Sequence, residues 1–155
     1  MRRREKEITS VTEIEDIIAA AVVCRLAMVD GDRPYIVPLC FGYENRTLYF
    51  HTGHKGKKIE VLEKNPNVCF EFDEGCRVLA QSEACEWGMA YRSVIGYGTA
   101  SFVTSPEQKR RALDLIMRQY GGGAGDYPDA RIDVTRIIRV QISRMTGKFS
   151  PVPTS

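Results

Sequence analysis

Apolar residues recur at helical spacing in only three stretches of this chain, and the strand-like runs between them follow one another without alternating helices. The first stretch opens on Ser10, with Glu13 three residues on, the pair of a capping box, and continues through Ile14, Ile17, Ile18 and Ala21. The second covers residues 57–64 and is stopped by Asn65-Pro66. The third opens on Ser105-Pro106-Glu107-Gln108: Ser105 is the cap, Pro106 suits the first turn, and Gln108 completes the box. Its apolar stripe reads Leu113, Ile116, Met117 and Tyr120, and Gly121 to Gly123 end it. Strand-like runs cover residues 23–29, 34–43, 47–51, 68–73, 77–87, 94–103 and 135–143. Asp30-Gly31-Asp32, Glu44-Asn45 and Asp73-Glu74-Gly75 mark turns, and the first three strands are expected to form an antiparallel meander. Without helix–strand alternation, and without a G-x-G-x-x-G after a strand, a doubly wound dinucleotide fold is unsupported. The pattern predicts a mainly β chain: a small barrel of six or seven antiparallel strands with two or three helices packed outside it.

Two strands depart from simple alternation. In residues 34–41, Ile36, Pro38 and Cys40 alternate with Tyr35, Val37, Leu39 and Phe41, so both faces are apolar. A strand exposed on one side alternates with polar residues, so the second face is expected to meet a helix, a partner subunit or a ligand. In residues 94–103 one face is Val94, Gly96, Gly98, Ala100 and Phe102. Glycines inside a strand mark either a corner or kink, or close approach of a ligand or subunit.

Bulk properties narrow the function. With 155 residues the chain suits one domain, 1–155, with residues 1–9 frayed and 149–155 an irregular tail. Lys and Arg number 22 against 20 Asp and Glu, too even a balance for general nucleic-acid binding; Arg2, Arg3, Arg4 and Lys6 read as a solvated end. No apolar run is long enough to span a membrane, and Glu5, Lys6 and Glu7 stand where a signal peptide would turn apolar, so a cytoplasmic location is expected. Five cysteines form no C-x-x-C pair; Cys24, Cys40 and Cys69 lie in apolar runs and read as small hydrophobes. With two histidines, no dedicated metal site is expected.

The stretch that carries chemistry is residues 48–59, Leu-Tyr-Phe-His-Thr-Gly-His-Lys-Gly-Lys-Lys-Ile. A strand ends at His51, two glycines and three lysines follow, and Ile59, Val61 and Leu62 resume helical spacing. Strand, glycine-containing loop and helix N-terminus is an arrangement that binds phosphate, through unpaired N–H groups and the helix dipole. Lysines at that end oppose the dipole, and a bound dianion relieves the conflict. A solvated basic loop is the competing reading, and the P-loop spacing is absent. His51 shares a face with Tyr49 and Thr47 and reads either as a half-buried hydrogen-bonded histidine or as a donor to an anion or carbonyl. His54 is expected to face solvent, and Trp87 to lie in the core or on a lid.

This stretch also resembles the nitroimidazole-resistance flavoproteins, within the pyridoxamine 5′-phosphate oxidase-like FMN-binding split barrels. The matching segments are Val37-Pro38-Leu39-Cys40-Phe41-Gly42-Tyr43, Leu48-Tyr49-Phe50-His51, Gly56-Lys57-Lys58, Asn65-Pro66-Asn67-Val68-Cys69-Phe70-Glu71, Tyr91-Arg92-Ser93-Val94-Ile95-Gly96-Tyr97-Gly98 and Thr146-Gly147-Lys148. They run in family order through most of residues 20–148. The resemblance implies a Greek-key split β-barrel and a homodimer, with FMN, or FAD as the alternative, in a groove at the subunit interface. It implies that Val37, Pro38 and Leu39 flank the flavin ring, that His51 and Thr52 lie beside ring and ribityl chain, and that Lys55 and Lys58 anchor the phosphate. Tyr91, Arg92 and Ser93 match a segment that approaches the flavin from the other subunit. Oxidase members of the superfamily carry a Ser-Arg-Lys run in this loop and further arginines for the vitamin phosphate. Here the loop reads His54-Lys55-Gly56, which argues against pyridoxamine-phosphate oxidase activity.

The expected function is a flavin-dependent reductase of small electron-poor molecules such as nitroimidazoles. Its candidate proton donors and electrostatic groups are His51, Tyr91 and Arg92. The alternatives are a flavin carrier or sensor without turnover, and a haem-binding split barrel.

Overall fold

The computed structural model describes residues 4–150; Arg2 and Arg3, and the expected tail from residue 151 onward, lie outside the described residues. A 3-10 turn over Arg4–Lys6 precedes β1 (Glu7–Ile8), α1 (Val11–Ala20), β2 (Cys24–Asp30), β3 (Arg33–Leu39), β4 (Gly42–Glu44), β5 (Thr47–Thr52) and α2 (Lys57–Lys64). Then follow β6 (Asn67–Leu79), β7 (Gly88–Val103), α3 (Pro106–Gln119), α4 (Asp129–Asp133) and β8 (Arg136–Ser150). The strands form one antiparallel sheet in the order β3-β2-β6-β7-β8-β5-β4, with β1 added to β8. The three central strands are 13, 16 and 15 residues long. Sheets of such strands twist and coil; this one curls into a split barrel with β3 and β4 as its unpaired ends.

The expected caps are present: Ser10 Oγ accepts from the Glu13 N–H at 3.4 Å, and Ser105 Oγ from the Gln108 N–H at 3.4 Å. α1 packs on β6, β7 and β8 and buries Ile14, Ile17 and Ile18 against a core whose largest fully buried side chains include Phe41, Phe50, Phe70 and Phe72. No helix among the described residues is long and apolar enough to cross a membrane.

The structure corrects several expectations. The run 34–43 is two strands, because the chain leaves the sheet at Cys40 to drive Phe41 into the core, where its N–H donates to the Tyr120 hydroxyl at 3.1 Å. Cys40 is consequently exposed. The first three strands do not form a meander: among the described residues β3 pairs only with β2, whereas β5 pairs with β4 and β8 at the opposite end of the sheet. Asp73-Glu74-Gly75 is not a hairpin turn but a register shift within β6, with Gly75 at φ +64°. The strand predicted over 77–87 therefore ends at Leu79, and a 3-10 turn over Ala84–Glu86 makes the reversal. Trp87 is in neither core nor lid; it is 56% exposed, and its indole N–H donates to the Gln81 carbonyl at 2.9 Å. The frayed end is overturned at Ile8, which is buried opposite Gly147, and the irregular tail at Phe149 and Ser150, which pair with Arg92 and Tyr91.

Two corrections have packing causes. α3 buries Ala112, Leu115 and Ile116 and leaves Met117 exposed, because it is rotated to lay its backbone on Gly42, where a Cβ would lie 2.7 Å from the Ile116 nitrogen. The small face of β7 points into the barrel rather than toward a ligand or subunit. A Cβ on Gly96 would lie 2.1 Å from the Phe70 ring, and one on Gly98 would lie 2.5 Å from the Gln141 carbonyl.

Candidate functional site

The end of β5 turns outward at His51 and Thr52, and the loop through Gly53 and Gly56 delivers the chain to α2. Gly56 is the N-cap at φ +132° and ψ +161°, a region open in practice only to glycine, and among the described residues no side chain caps the helix. The first bonds of α2 run from the Ile59 and Glu60 N–H groups to the Gly56 carbonyl, at 2.9 and 3.3 Å. Ile59, Val61 and Leu62 are buried and seat the helix on the barrel.

The structure separates three lysines that look alike in sequence. Lys57 is a strut: its Nζ lies 3.0 Å from Asp30 Oδ2 and 5.0 Å from the centre of the Tyr35 ring, tying α2 to the β2–β3 hairpin. Lys55 is exposed on the loop. Lys58 is half-buried, and among the described residues no carboxylate pairs with it. Burial pushes its ammonium below the ordinary lysine value. A partly desolvated cation without a counter-ion, beside an uncapped helix start, is a place where an anion gains from both charge and dipole.

His51 is exposed and Thr52 half-buried at the strand end. His54 is exposed but anchored, its Nε2 donating to the Asp133 carbonyl of α4 at 2.7 Å. The far end of α2 is fixed as well, with Arg136 2.9 Å from Glu63. Sequence reading missed α4 and the Lys57 strut. Pro128 before Asp129 is a helix-start signal that would have located the first; the second depends on a hairpin distant in sequence.

β3 lies on the side of the sheet that Lys57 joins to α2. Val37 and Leu39 are half-buried and pack on the core, whereas Ile36, 59% exposed, and Pro38 face outward. As a sheet edge, β3 offers unpaired backbone groups, and Pro34 and Pro38 keep that edge from extending into another sheet. The second apolar face therefore has no cover within the described chain.

Tyr91, Arg92 and Ser93 are elsewhere. Tyr91 pairs with Ser150 and His51 with Ile137, thirteen residues apart on β8, which is about 40 Å of strand at roughly 3.3 Å per residue. Arg92 is cross-strand to Glu74 and donates to it from Nε, so its charge is met. Lys148 Nζ lies 5.1 Å from the Tyr91 ring centre. Clefts of about 440 and 290 Å³ flank Arg92 and Phe149 at this end.

Residues 10–149 match the pyridoxamine 5′-phosphate oxidase family. The chain belongs to that family. Within its split-barrel fold, this chain superposes on the crystal structure of a candidate 5-nitroimidazole antibiotic resistance protein from Bacteroides thetaiotaomicron with a TM-score of 0.83 and 39% identity, over 92% of this chain and 85% of that one. An FAD-binding protein from Mesorhizobium loti matches with a TM-score of 0.67 and 25% identity, over 92% and 96%. An uncharacterized protein of Rhizobium meliloti (strain 1021) is 33% identical over 67 residues; the match spans 43% of this chain and 44% of that relative's length.

Proposed function

We propose that this member of the pyridoxamine 5′-phosphate oxidase family binds FMN, with its phosphate at the start of α2, and reduces small electron-poor molecules of the nitroimidazole kind. The observation that carries the reading is Lys58, a half-buried ammonium with no carboxylate partner among the described residues, at a helix start that no side chain caps. The similarity to a candidate nitroimidazole-resistance protein supports the substrate class, and the FAD-binding neighbour supports a flavin. Lys58 and Lys55, with the α2 N–H groups, would hold the phosphate. His51 and Thr52 would lie beside ring and ribityl chain, and the outer edge of β3 at Val37, Pro38 and Leu39 would flank the ring. The bound flavin supplies the redox chemistry; the chain orients it, shields it with the apolar face of β3, and offers the His51 imidazole as a proton donor.

The separation of Tyr91, Arg92 and Ser93 from His51 along β8 supports a homodimer in which a second copy brings that segment to the flavin. A cytoplasmic setting belongs to the same proposal. Pyridoxamine-phosphate oxidase activity is not expected, since the loop lacks the Ser-Arg-Lys run. A binding protein without turnover is the second reading, favoured by Glu74 already holding Arg92.

The test is an absorbance spectrum with mass analysis of the released cofactor, followed by NAD(P)H oxidation with a nitroimidazole acceptor. Yellow protein that releases FMN and consumes donor only with acceptor present is the expected result. Flavin without turnover moves the assignment to a carrier or sensor, and colourless protein that takes up no added flavin overturns the reading.

A further inference from the structure

α3 packs against β4, β5 and β8 and leaves a cleft of about 300 Å³, lined by Glu44, Tyr49, Gln108, Arg111 and Arg139 among others. Tyr49 and Arg139 are directly opposed across β5 and β8, so both side chains rise from one face. The wall above them is the first two turns of α3, whose N–H ends carry partial positive charge. Arg111 is accounted for: its guanidinium lies 2.6 Å from Glu44. Arg139 is not. Its one side-chain partner is neutral, the Gln141 Oε1 at 3.1 Å, and among the described residues no carboxylate pairs with it. Gln141 is itself held, its Nε2 donating to the Arg46 carbonyl at 3.3 Å. The guanidinium is exposed to solvent, held in place by Gln141 and met by no carboxylate among the described residues, and its remaining N–H donors form a planar fork suited to a carboxylate or phosphoryl group.

We propose that this cleft is an oxyanion-recognition site centred on Arg139, which takes the carboxylate or phosphoryl group of a small molecule. His51 lies two residues beyond Tyr49 on the same face of β5, about 7 Å along the strand. On the function proposed above, on which this link to His51 rests, the substrate or the electron donor is therefore an organic anion gripped at Arg139 and reacting near His51. The net charge of the cleft is one positive, two arginines against Glu44, which favours a single anionic group over a cation.

The test is a titration of the full-length protein with benzoate and, separately, with inorganic phosphate at constant ionic strength. Amide and arginine Nε resonances are followed by NMR. Saturable shifts at Tyr49, Gln108 and Arg139 are expected; stronger binding of benzoate marks a carboxylate-bearing ligand, and of phosphate a phosphoryl-bearing one. Arg139→Gln should weaken binding tenfold or more, which is about 1.4 kcal/mol. Glu44→Gln, which releases Arg111, should strengthen it. Two variants with opposite signs keep a misfolded one from deciding the matter. Lys58→Ala should leave these shifts in place, so a failed flavin proposal and a failed anion cleft are told apart. No saturable shift at these residues with either anion, or equal binding by Arg139→Gln, overturns the proposal.

Discussion

Two glycine-bearing regions of this chain, the β5–α2 loop and the inner face of β7, invite the same reading in sequence and turn out to be opposites. On β7 the space left by Gly96 and Gly98 is filled by the protein itself, by the Phe70 ring and the β8 backbone. In the loop, a Cβ on Gly53 or Gly56 would meet nothing within 4 Å. Small residues facing inward are a packing device, whereas small residues facing outward beside an unmatched charge leave room for something the chain does not contain. The lysines and arginines repeat the contrast. Arg92 has Glu74 and Lys57 has Asp30, but Lys58 has neither a carboxylate partner among the described residues nor full access to water.

The sharpest way to break this contrast is on the β7 side. Gly96→Ala places a methyl group inside the contact distance of a fully buried ring. We expect a loss of about 3 kcal/mol, the upper end of the usual overpacking cost. That corresponds to a fall in Tm of roughly 6–12 °C for a domain of this size. Gly53→Ala, in open space and without a positive φ, should change stability by less than about 0.5 kcal/mol. Equal melting temperatures for the two variants would show that the barrel interior is looser than Phe70 and Gly96 imply.

On the loop side, Lys58→Ala should weaken FMN binding by roughly 1.5–3 kcal/mol, as for other charge-assisted hydrogen bonds, read from flavin fluorescence quenching. Lys57→Ala should do less, because Lys57 is engaged with Asp30 and Tyr35. If the two variants lose equal affinity, the separation of the lysines into strut and anchor is wrong. Gly56→Ala follows in size. It forces a side chain into backbone space that is essentially glycine's alone, a strain of about 1 kcal/mol or more. The loss should appear in FMN affinity, since the Gly56 carbonyl starts α2.

Local signals made the helices legible. Ser10, Ser105 and Asn65-Pro66 mark true boundaries because capping and proline sterics act within a few residues. The barrel order was not legible, because β2 reaches β6 and β5 reaches β8 past several intervening elements, and no residue records a partner so distant in sequence. Asp73-Glu74-Gly75 misleads for a related reason: a bulge and a hairpin turn use the same residues, and only the register of β7 tells them apart. At the site, the basic loop was legible as a whole, but which lysine stays unpaired was decided by Asp30 and Tyr35, which the fold brings in from another hairpin.

The smallest effect tests the carrying observation most directly. Burial holds the Lys58 ammonium below its ordinary value in the flavin-free protein. Between that lowered folded value and the unfolded one of about 10.4, the unfolded chain binds more protons, so stability rises with pH through that window. A phosphate beside Lys58 reverses the sign: the folded value moves up, and stabilisation present at lower pH is lost as pH climbs through it. Other groups titrate in the same range, since burial also pushes the Cys24 thiol up, so the quantity to follow is wild type minus Lys58→Met. Measured as urea midpoints from about pH 8 to 11.5, a range that brackets the unfolded lysine value of about 10.4, that difference should move toward wild type with rising pH up to that value without flavin, and away from wild type above it with FMN bound. A difference that stays flat in both series would mean that Lys58 is neither desolvated in the free protein nor paired in the complex, and the contrast with Lys57 would then lose its basis.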